Sequence, residues 1–235
     1  MIGDFDDTFT PHVATNDALG HAASRFGIEV EIGWLATEPL EDDLVEVERV
    51  DALWCAPGSP YRSLLGAVAA LRYGRERGVP TLGTCGGCQH IIIEYARSVL
   101  GFEDAQHAEY DPYGSRLFIS ELACSLAGRT MPVTLEPGSK AAELYGETKI
   151  YEQYYCNFGL NPDHQRTLDD GGLRVTGFDD DGEARVLELP EHPFYVATLF
   201  VPQTRSTPEQ PHPLITGFLQ AARDRSTALT GRLEA

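Results

Sequence analysis

The stretch Gly83-Thr84-Cys85-Gly86-Gly87 places a cysteine in the residue pattern of a reactive nucleophile. The small apolar run before it predicts a strand, and a helix is predicted to begin at about Gly86. Glycines two residues before and two residues after a nucleophile relieve the crowding of a sharp strand-to-helix turn. The helix N-terminus favours the thiolate, and the Gly86 N–H points toward a developing oxyanion. Cys85 is therefore the candidate nucleophile, and a small buried cysteine in a glycine-rich turn is the alternative.

Cys85 also belongs to two alternative kinds of site, a redox pair and a zinc site. Cys88 follows Cys85 at the spacing of a redox pair, and positions i and i+3 satisfy disulfide distances. Cys156 shares a predicted strand face with Tyr154, so it faces either the same pocket or the strand core. These three sulfurs with the imidazole of His90 suit zinc, but the sharp turn points Cys85 and Cys88 in different directions. We expect no metal, and a redox pair of Cys85 with Cys88 or Cys156 stays an alternative.

Composition narrows the classes of function. The chain has 235 residues, a formal net charge of −18 and 42% hydrophobic residues. This acidic balance argues against binding to nucleic acid or to an anionic membrane surface, and no apolar run is long enough to span a bilayer. The N-terminus lacks the pattern of a secretory signal, and the five cysteines are odd in number. We expect a cytoplasmic, reduced protein that acts on a small-molecule substrate without a cofactor.

The first half of the sequence alternates strand-like runs with helix-period segments. Residues 28–35 and 52–57 are predicted strands, as is the run before Cys85, and helices are predicted before, between and after them. Such a βαβα series implies a parallel sheet with right-handed crossovers and helices on both faces. Cys55 and Cys124 lie in apolar strand phases, which predicts that both are buried.

The second half reads as antiparallel. A hairpin is predicted to turn at Asp181-Gly182, followed by a strand at 194–200 and a helix from about Pro213. We therefore predict one α/β domain over residues 1–235, with an antiparallel insertion on a mostly parallel core.

Three segments resemble the class I glutamine amidotransferases, in particular the glutaminase domain of CTP synthase and its stand-alone relatives. "GVPTLGTCGGCQ" matches the family's nucleophile pattern G-x-C-x-G-x-Q. "APGSPYRSLLGAVAALRYGRERGVP" is similar to the oxyanion strand and following helix, and "HPFYVATLFVPQTRSTPEQPHPLITGFLQAA" to the closing segment. The segments keep the family's order and cover nearly the whole chain. The resemblance implies a flavodoxin-like class I amidotransferase fold, and we expect a stand-alone relative without a synthetase domain.

The resemblance also places the site residues. Cys85 is the expected nucleophile, Gly86 and Ser59 are expected to supply oxyanion donors, and Glu109 matches the acidic residue that meets the substrate ammonium. His107, two residues before Glu109, lies in a loop expected near the mouth of the site. The residues predicted to contact substrate are Gly58, Gly87, Gln89, Glu109, Gln153 and Tyr154.

The sequence departs from the family at the residues for two functions, the general base and the recognition of the substrate α-carboxylate. The family's closing segment reads H-P-E and supplies a base and its orienting carboxylate, whereas this chain has Val201, Pro202 and Gln203. Losing a general base costs ~10²–10⁴-fold, and His107 is the predicted substitute. Gln153 stands where the family's arginine holds the α-carboxylate of glutamine, and an amide cannot replace that ion pair.

These departures argue against ordinary glutamine hydrolysis. The sequence favours a stand-alone, amidotransferase-like hydrolase or transferase that attacks a small amine-bearing amide, ester or amidine. Two alternatives remain: a thiol-redox protein, and a catalytically dead relative that binds a metabolite or a partner. A homo-oligomer or a partner enzyme is compatible with each.

Overall fold

A seven-stranded mixed sheet forms the centre of the protein, seen in a computed structural model that describes residues 1–233. Its strand order is β1-β2-β10-β9-β8-β5-β6, and β3, β4 and β7 form a second, smaller sheet. The strands are β1 (Leu53–Cys55), β2 (Thr81–Thr84), β3 (Ala105–His107), β4 (Arg116–Glu121), β5 (Thr130–Leu135), β6 (Lys149–Gln153), β7 (Phe158–Leu160), β8 (Arg174–Phe178), β9 (Ala184–Glu188) and β10 (Tyr195–Thr198).

Helices pack on both faces of the large sheet because its strands bury side chains alternately on the two sides. Leu53 and Cys55 of β1 lie in a core cluster with the third and fourth helices, whereas Trp54 lies in a cluster with the first and last helices. The helices are α1 (Thr10–Phe26), α2 (Val45–Glu48), α3 (Leu64–Arg77), α4 (Gly86–Ser98), α5 (Lys140–Tyr145), α6 (Pro162–Asp170) and α7 (Pro213–Leu233).

The predicted α/β class and its antiparallel insertion are confirmed. Strands β1, β2 and β10 are parallel, and β9, β8, β5 and β6 continue the same sheet in antiparallel pairs. The predicted hairpin is β8–β9, and Gly182 in its turn has φ 82°, a conformation that favours glycine. The carboxyl ends of β1, β2 and β10 therefore meet at one edge of the sheet. That residues 1–235 form one domain stays a prediction.

Two local predictions are wrong. Residues 28–35 form no regular strand. Leu35 makes an isolated parallel bridge to Ile2, and residues 28–34 pair with no strand. The alternating pattern there reflects an extended segment at the rim of the sheet. Cys124 is exposed, because β4 ends at Glu121 and Cys124 lies in the loop that follows.

No helix within residues 1–233 is both long enough and apolar enough to cross a membrane. Over the same residues, the His, Cys, Asp and Glu side chains form no group of three or more arranged to hold a metal ion.

Candidate functional site

Cys85 occupies a strained turn between a strand and a helix. Strand β2 ends at Thr84, α4 begins at Gly86, and Cys85 between them has φ 52° and ψ −111°. It is the one non-glycine residue with positive φ among residues 1–233. Such a conformation costs of order 1–3 kcal/mol and persists only where the surrounding structure enforces it. The glycine spacing in the sequence predicts this turn, and the turn lies at the carboxyl edge of the parallel strands.

The neighbouring glycines are required because backbone atoms approach them closely. A Cβ on Gly87 would lie 1.9 Å from the carbonyl oxygen of Cys55, and one on Gly86 would lie 2.9 Å from that of Gly58. A Cβ on Gly83 would lie 2.8 Å from the Gly87 oxygen. Only glycine therefore lets the start of α4 pack against the end of β1. Gly87, predicted to contact substrate, acts here in packing.

Three donors surround the Cys85 thiol. The backbone N–H groups of Gly58 and Gly86 donate to its Sγ, and the Sγ of Cys156 lies 2.6 Å away as a further donor. The bond from Cys156 is the largest influence and lowers the pKa of Cys85, and the two amides act in the same direction. Burial and the nearby Glu109 carboxylate oppose them, but the net direction is downward. Cys85 is therefore the cysteine of this pair that ionises first.

Cys156 stays protonated beside the Cys85 thiolate. The residue is 2% exposed, and its Sγ also lies 3.0 Å from the carbonyl oxygen of Leu199. Burial, followed by its bond to Cys85, raises the pKa of Cys156 well above that of an ordinary thiol. The sequence predicts its strand face, shared with Tyr154, but not this contact with Cys85.

The second amide at the thiol belongs to Gly58, which corrects the expected donor Ser59. Gly58 has φ 94° in the loop after β1, a conformation open to glycine, and its N–H reaches the Cys85 Sγ. The Ser59 hydroxyl instead donates to Oε1 of Gln89 at 3.1 Å. Gly58 and Gly86 therefore form the pair of N–H groups that the sequence assigned to Ser59 and Gly86.

Gln89 joins three segments rather than presenting its amide to a ligand. Its Oε1 accepts hydrogen bonds from Ser59 and from His107, and its Nε2 donates to the carbonyl oxygen of Phe158 at 2.8 Å. The side chain is 2% exposed. This corrects the predicted substrate contact at Gln89, because the amide ties the loop after β1 to β3 and β7.

His107 cannot serve as the substitute base. Its Nδ1 accepts the Glu109 N–H at 3.1 Å, so the proton lies on Nε2, which donates to Gln89 at 3.0 Å. Burial, followed by the nearby His90, lowers the pKa of His107 to about 3. The ring is therefore neutral at pH 7 and has no free acceptor nitrogen. The 3.9 Å approach of its Nε2 to the Glu109 carboxylate is consequently not an ion pair.

His90 stabilises the turn at Cys85 through a hydrogen bond to the backbone of Gly86. Its Nδ1–H donates to the carbonyl oxygen of Gly86 at 2.7 Å, and its Nε2 accepts the Tyr110 hydroxyl at 2.8 Å. Burial lowers the pKa of His90 to about 4, so this ring is also neutral. The tyrosine partner carries no signal in the sequence beyond its place next to Glu109. These bonds leave His90 no lone pair for a metal.

Glu109 carries a buried polar atom without a hydrogen-bond partner in the described part of the chain. Its side chain is 23% exposed, and its Oε2 is buried with no hydrogen-bond partner in the described part of the chain. Its negative charge acts on the Cys85 thiol and raises its pKa. The site therefore has an unpaired carboxylate oxygen whose charge reaches the nucleophile.

Gln153 is the last residue of β6, and Tyr154 follows it. Tyr154 is fully buried against Phe200, and its hydroxyl has no partner within residues 1–233. This corrects the prediction that Tyr154 shapes an open ligand pocket. Gln153 is half-buried, and its backbone carbonyl accepts the Val201 N–H at 2.8 Å.

The positions of the family's base and carboxylate hold no proton acceptor for Cys85. Val201 is fully buried. Gln203 is also buried, and its Nε2 donates to the Thr15 hydroxyl at 3.1 Å. In the described residues, Cys156 is the side chain that hydrogen-bonds to the Cys85 thiol.

Cys88 packs in a different core cluster from the Cys85–Cys156 pair. It lies with Cys55 in the cluster beneath α3 and α4, whereas Cys85 lies with Cys156 in the cluster on the other face of the sheet. Burial raises the pKa of Cys88 far above its ordinary value. This arrangement also separates the sulfurs of the zinc set considered from the sequence.

A cavity of about 550 Å³ lies away from this site. It opens at the amino end of β1, and Cys85 is not among its lining residues. The residues around Cys85 are therefore distinguished by their chemistry and not by the volume they enclose. Residues of that cavity include Met1, Val30, Ile32, Trp54 and Phe218.

Comparison with known proteins places the chain among amidotransferases. Residues 12–221 match the family model "Glutamine amidotransferase class-I". The chain is 36% identical over 236 residues to CTP synthase of Methanopyrus kandleri and 37% identical over 239 residues to that of a Cyanothece species. These matches cover 94% and 97% of this chain but 44% of each relative, so the chain spans less than half their length.

The fold is also found in solved structures. The glutaminase domain of Trypanosoma brucei CTPS with bound acivicin superposes with a TM-score of 0.88 at 21% identity, covering 95% of this chain and 92% of that one. A putative GMP synthase subunit from Thermoplasma acidophilum superposes with a TM-score of 0.60 at 13% identity, covering 100% and 96% of the two chains. Because both identities are low, these likenesses establish the fold and nothing further.

Proposed function

Because the chain belongs to the class I glutamine amidotransferase family, we propose that it is an acyl-transfer enzyme with Cys85 as its covalent nucleophile. Its substrate is a small amine-bearing amide, ester or amidine. The observation that carries this proposal is the Cys85 thiol, held in a strained turn with the N–H groups of Gly58 and Gly86 directed at it. Strained backbone and aligned amides at one sulfur are the features that nucleophilic catalysis needs.

The first chemical step needs no general base. The thiolate of Cys85 attacks the carbonyl or amidine carbon, and a C–S bond forms while negative charge moves onto the substrate heteroatom. The amides of Gly58 and Gly86, which stabilise charge on sulfur in the resting enzyme, then donate to that heteroatom. The intermediate collapses with loss of the leaving group, which takes a proton from water. Water finally cleaves the acyl-enzyme and restores the thiol.

The missing acid selects the leaving group. Val201 and Gln203 cannot protonate a departing amine, and both nitrogens of His107 are occupied. Expulsion of a poor leaving group without a proton donor is slow, since general acid catalysis contributes ~10²–10⁴-fold. The site therefore favours esters and activated amides over an unactivated amide such as glutamine.

Glu109 and Gln153 set the preference for an amine-bearing molecule. The Oε2 of Glu109 has no protein partner in residues 1–233, and its charge reaches the Cys85 thiol. A substrate ammonium would satisfy this oxygen and, by neutralising its charge, would also favour the thiolate. Gln153 offers no cation for an α-carboxylate, so a substrate with an amine and no carboxylate fits better than an α-amino acid.

The family relatives are more than twice as long as the part that matches this chain. We include in the proposal that a product of this hydrolysis passes to a partner enzyme or to a second subunit. The names of the relatives, CTP synthase, suggest a synthetase as that partner.

The nucleophile is tested first by alkylation of the reduced protein with iodoacetamide at pH 6. Cys85 is expected to react faster than Cys124, although Cys85 is 5% exposed and Cys124 lies at the surface. The physical reason is that only the thiolate reacts, and Cys85 is the cysteine whose ionised form is stabilised. Reaction of Cys85 no faster than Cys124 would contradict the proposal.

Substrate preference is tested with the 4-nitrophenyl ester of β-alanine and its N-acetylated analogue. We expect a β-alanyl adduct on Cys85 that is absent from Cys85→Ser. Glu109→Gln should slow acylation by the free-amine ester relative to the N-acetylated ester. The N-acetylated ester has no ammonium and should react somewhat faster, because loss of the Glu109 charge lowers the pKa of Cys85. Equal slowing with both esters would show that Glu109 does not recognise the amine.

A further inference from the structure

Acyl transfer uses Cys156 only as a hydrogen-bond donor to Cys85, a part that a hydroxyl could also play, and leaves its sulfur unused as a nucleophile. Cys156 follows β6, 71 residues along the chain from Cys85, yet their Sγ atoms lie 2.6 Å apart. Both side chains are at least nine-tenths buried, at 5% and 2% exposure. A protonated thiol this buried is a poor base, so its position against the nucleophile calls for another explanation.

We infer that Cys156 is a resolving cysteine: a hydroperoxide oxidises Cys85, and Cys156 then closes a reversible Cys85–Cys156 disulfide that withdraws the nucleophile. The inference rests on the proposed function in that Cys85 is the reactive thiol. The Cys85 sulfur is the site of oxidation, and hydroperoxides are the class of oxidant.

The chemistry balances in two steps. The Cys85 thiolate attacks one oxygen of the hydroperoxide, an S–O bond forms and the O–O bond breaks. The departing hydroxide or alkoxide takes a proton from water, and Cys85 becomes a sulfenic acid. The Cys156 sulfur then attacks the Cys85 sulfur, an S–S bond forms, and the thiol proton leaves with the hydroxyl as water. A dithiol reductant reverses the oxidation by disulfide exchange.

The groups around the two sulfurs make Cys85 the thiol that is oxidised and Cys156 the thiol that resolves it. The N–H groups of Gly58 and Gly86 donate to Cys85 and stabilise its thiolate, whereas Cys156 is the hydrogen-bond donor. The nucleophile toward peroxide is the thiolate, so Cys85 reacts first. Cys156 is already in contact, and bringing 2.6 Å to the disulfide length of ~2.05 Å needs a movement of about 0.5 Å.

Cys156 is the cysteine in contact with Cys85, and the other three lie elsewhere. Cys88 and Cys55 lie in the core cluster on the opposite face of the sheet, and Cys124 is exposed in the loop after β4. The inference therefore predicts one specific linkage. It also explains why a second thiol is held at the nucleophile while the positions of the family's base are apolar or amide.

The test uses the full chain, reduced and then treated with hydrogen peroxide, followed by peptide mapping without reductant. We expect a Cys85–Cys156 linked peptide, an alkylation rate of Cys85 at least ~10-fold lower, and recovery of that rate with dithiothreitol. Cys156→Ala should instead leave Cys85 as a sulfenic acid that dimedone captures and that proceeds to the sulfinic acid. Cys156→Ser, which nearly keeps the volume, should behave in the same way if the alanine variant fails to fold.

Cys88→Ala is the matched control, and it should still form the linkage. The inference is overturned if the linked peptide contains Cys88 or joins two chains, or if wild type reaches the sulfinic acid as fast as Cys156→Ser, which keeps a hydrogen-bond donor at Cys85. The two hypotheses fail separately. Alkylation of the reduced protein tests the nucleophile alone, whereas rapid alkylation at Cys85 without a disulfide after peroxide would remove only the resolving role of Cys156.

Discussion

Replacing Cys156 with alanine or with serine separates its hydrogen bond from its volume. The bond from Cys156 to Cys85 is the largest influence that lowers the pKa of the Cys85 thiol. Alanine removes the donor and leaves the N–H groups of Gly58 and Gly86 in place. Serine keeps a hydroxyl donor at nearly the same position. The two variants therefore differ mainly in whether a donor faces the thiolate.

The expected size of the effect follows from one charge-assisted bond. Hydrogen bonds to charged groups contribute about 1.5–3 kcal/mol, and a thiol is a weak donor, so the lower end applies. A difference of about 1.4 kcal/mol corresponds to a tenfold change in an equilibrium constant. Cys156→Ala should therefore lower the thiolate fraction of Cys85, and its alkylation rate at pH 6, by about 10-fold.

The assay is the rate of iodoacetamide reaction at Cys85 between pH 5.5 and pH 9, read by peptide mass under reducing conditions. The alanine profile should shift to higher pH, the serine profile should stay close to wild type, and Cys88→Ala should not change it. An alanine profile that overlays wild type would refute the activating bond. A serine profile as shifted as that of alanine would show that packing, not the donor, sets the reactivity.

Two further predictions concern acid stability and glutamine. Burial lowers the pKa of His90 to about 4 and of His107 to about 3, against 6.5 when unfolded. The free energy of unfolding is therefore highest above pH 6.5 and falls as the pH decreases, by about 2 kcal/mol for each histidine at pH 5. Urea titrations at the two pH values measure this loss. A His90→Gln variant that loses as much stability as wild type would contradict the prediction. Wild type should release no ammonia from glutamine at the ~1–10³ s⁻¹ of ordinary enzymes, and Val201→His with Gln203→Glu should not restore it while Gln153 supplies no cation; full recovery in that double variant would refute the argument.

The parts of the site that the sequence predicts are those controlled by neighbours in the chain. The turn at Cys85 follows from Gly83 and Gly87, because a Cβ at either position would meet backbone within 3 Å. Ser59 and His107 were assigned wrongly because their roles depend on Gln89, which lies 30 and 18 residues away. The hydrogen-bond network that fixes a histidine tautomer does not appear in local periodicity.

The contact between Cys156 and Cys85 is likewise beyond what the local sequence predicts. The predicted alternation puts Cys156 on one strand face with Tyr154 and leaves open whether that face meets a pocket or a core. In the structure both residues follow the end of β6 and pack in the same core cluster. The answer depends on where the end of β6 lies relative to β2, and β8, β9, β10 and β5 separate these strands in the sheet. Only the three-dimensional path of the chain brings the two sulfurs together.

A thiol activated by fixed donors differs in its chemistry from one activated by a base. A histidine that accepts the thiol proton can return it to the leaving group, so activation and proton donation are coupled. At Cys85 the N–H groups of Gly58 and Gly86 stabilise the thiolate but hold no proton they can give up. Such a site favours electrophiles whose leaving group departs without an acid. Activated esters and hydroperoxides share this property, and an unactivated amide does not. The same arrangement that weakens glutamine as a substrate therefore makes both proposed reactions of Cys85 feasible.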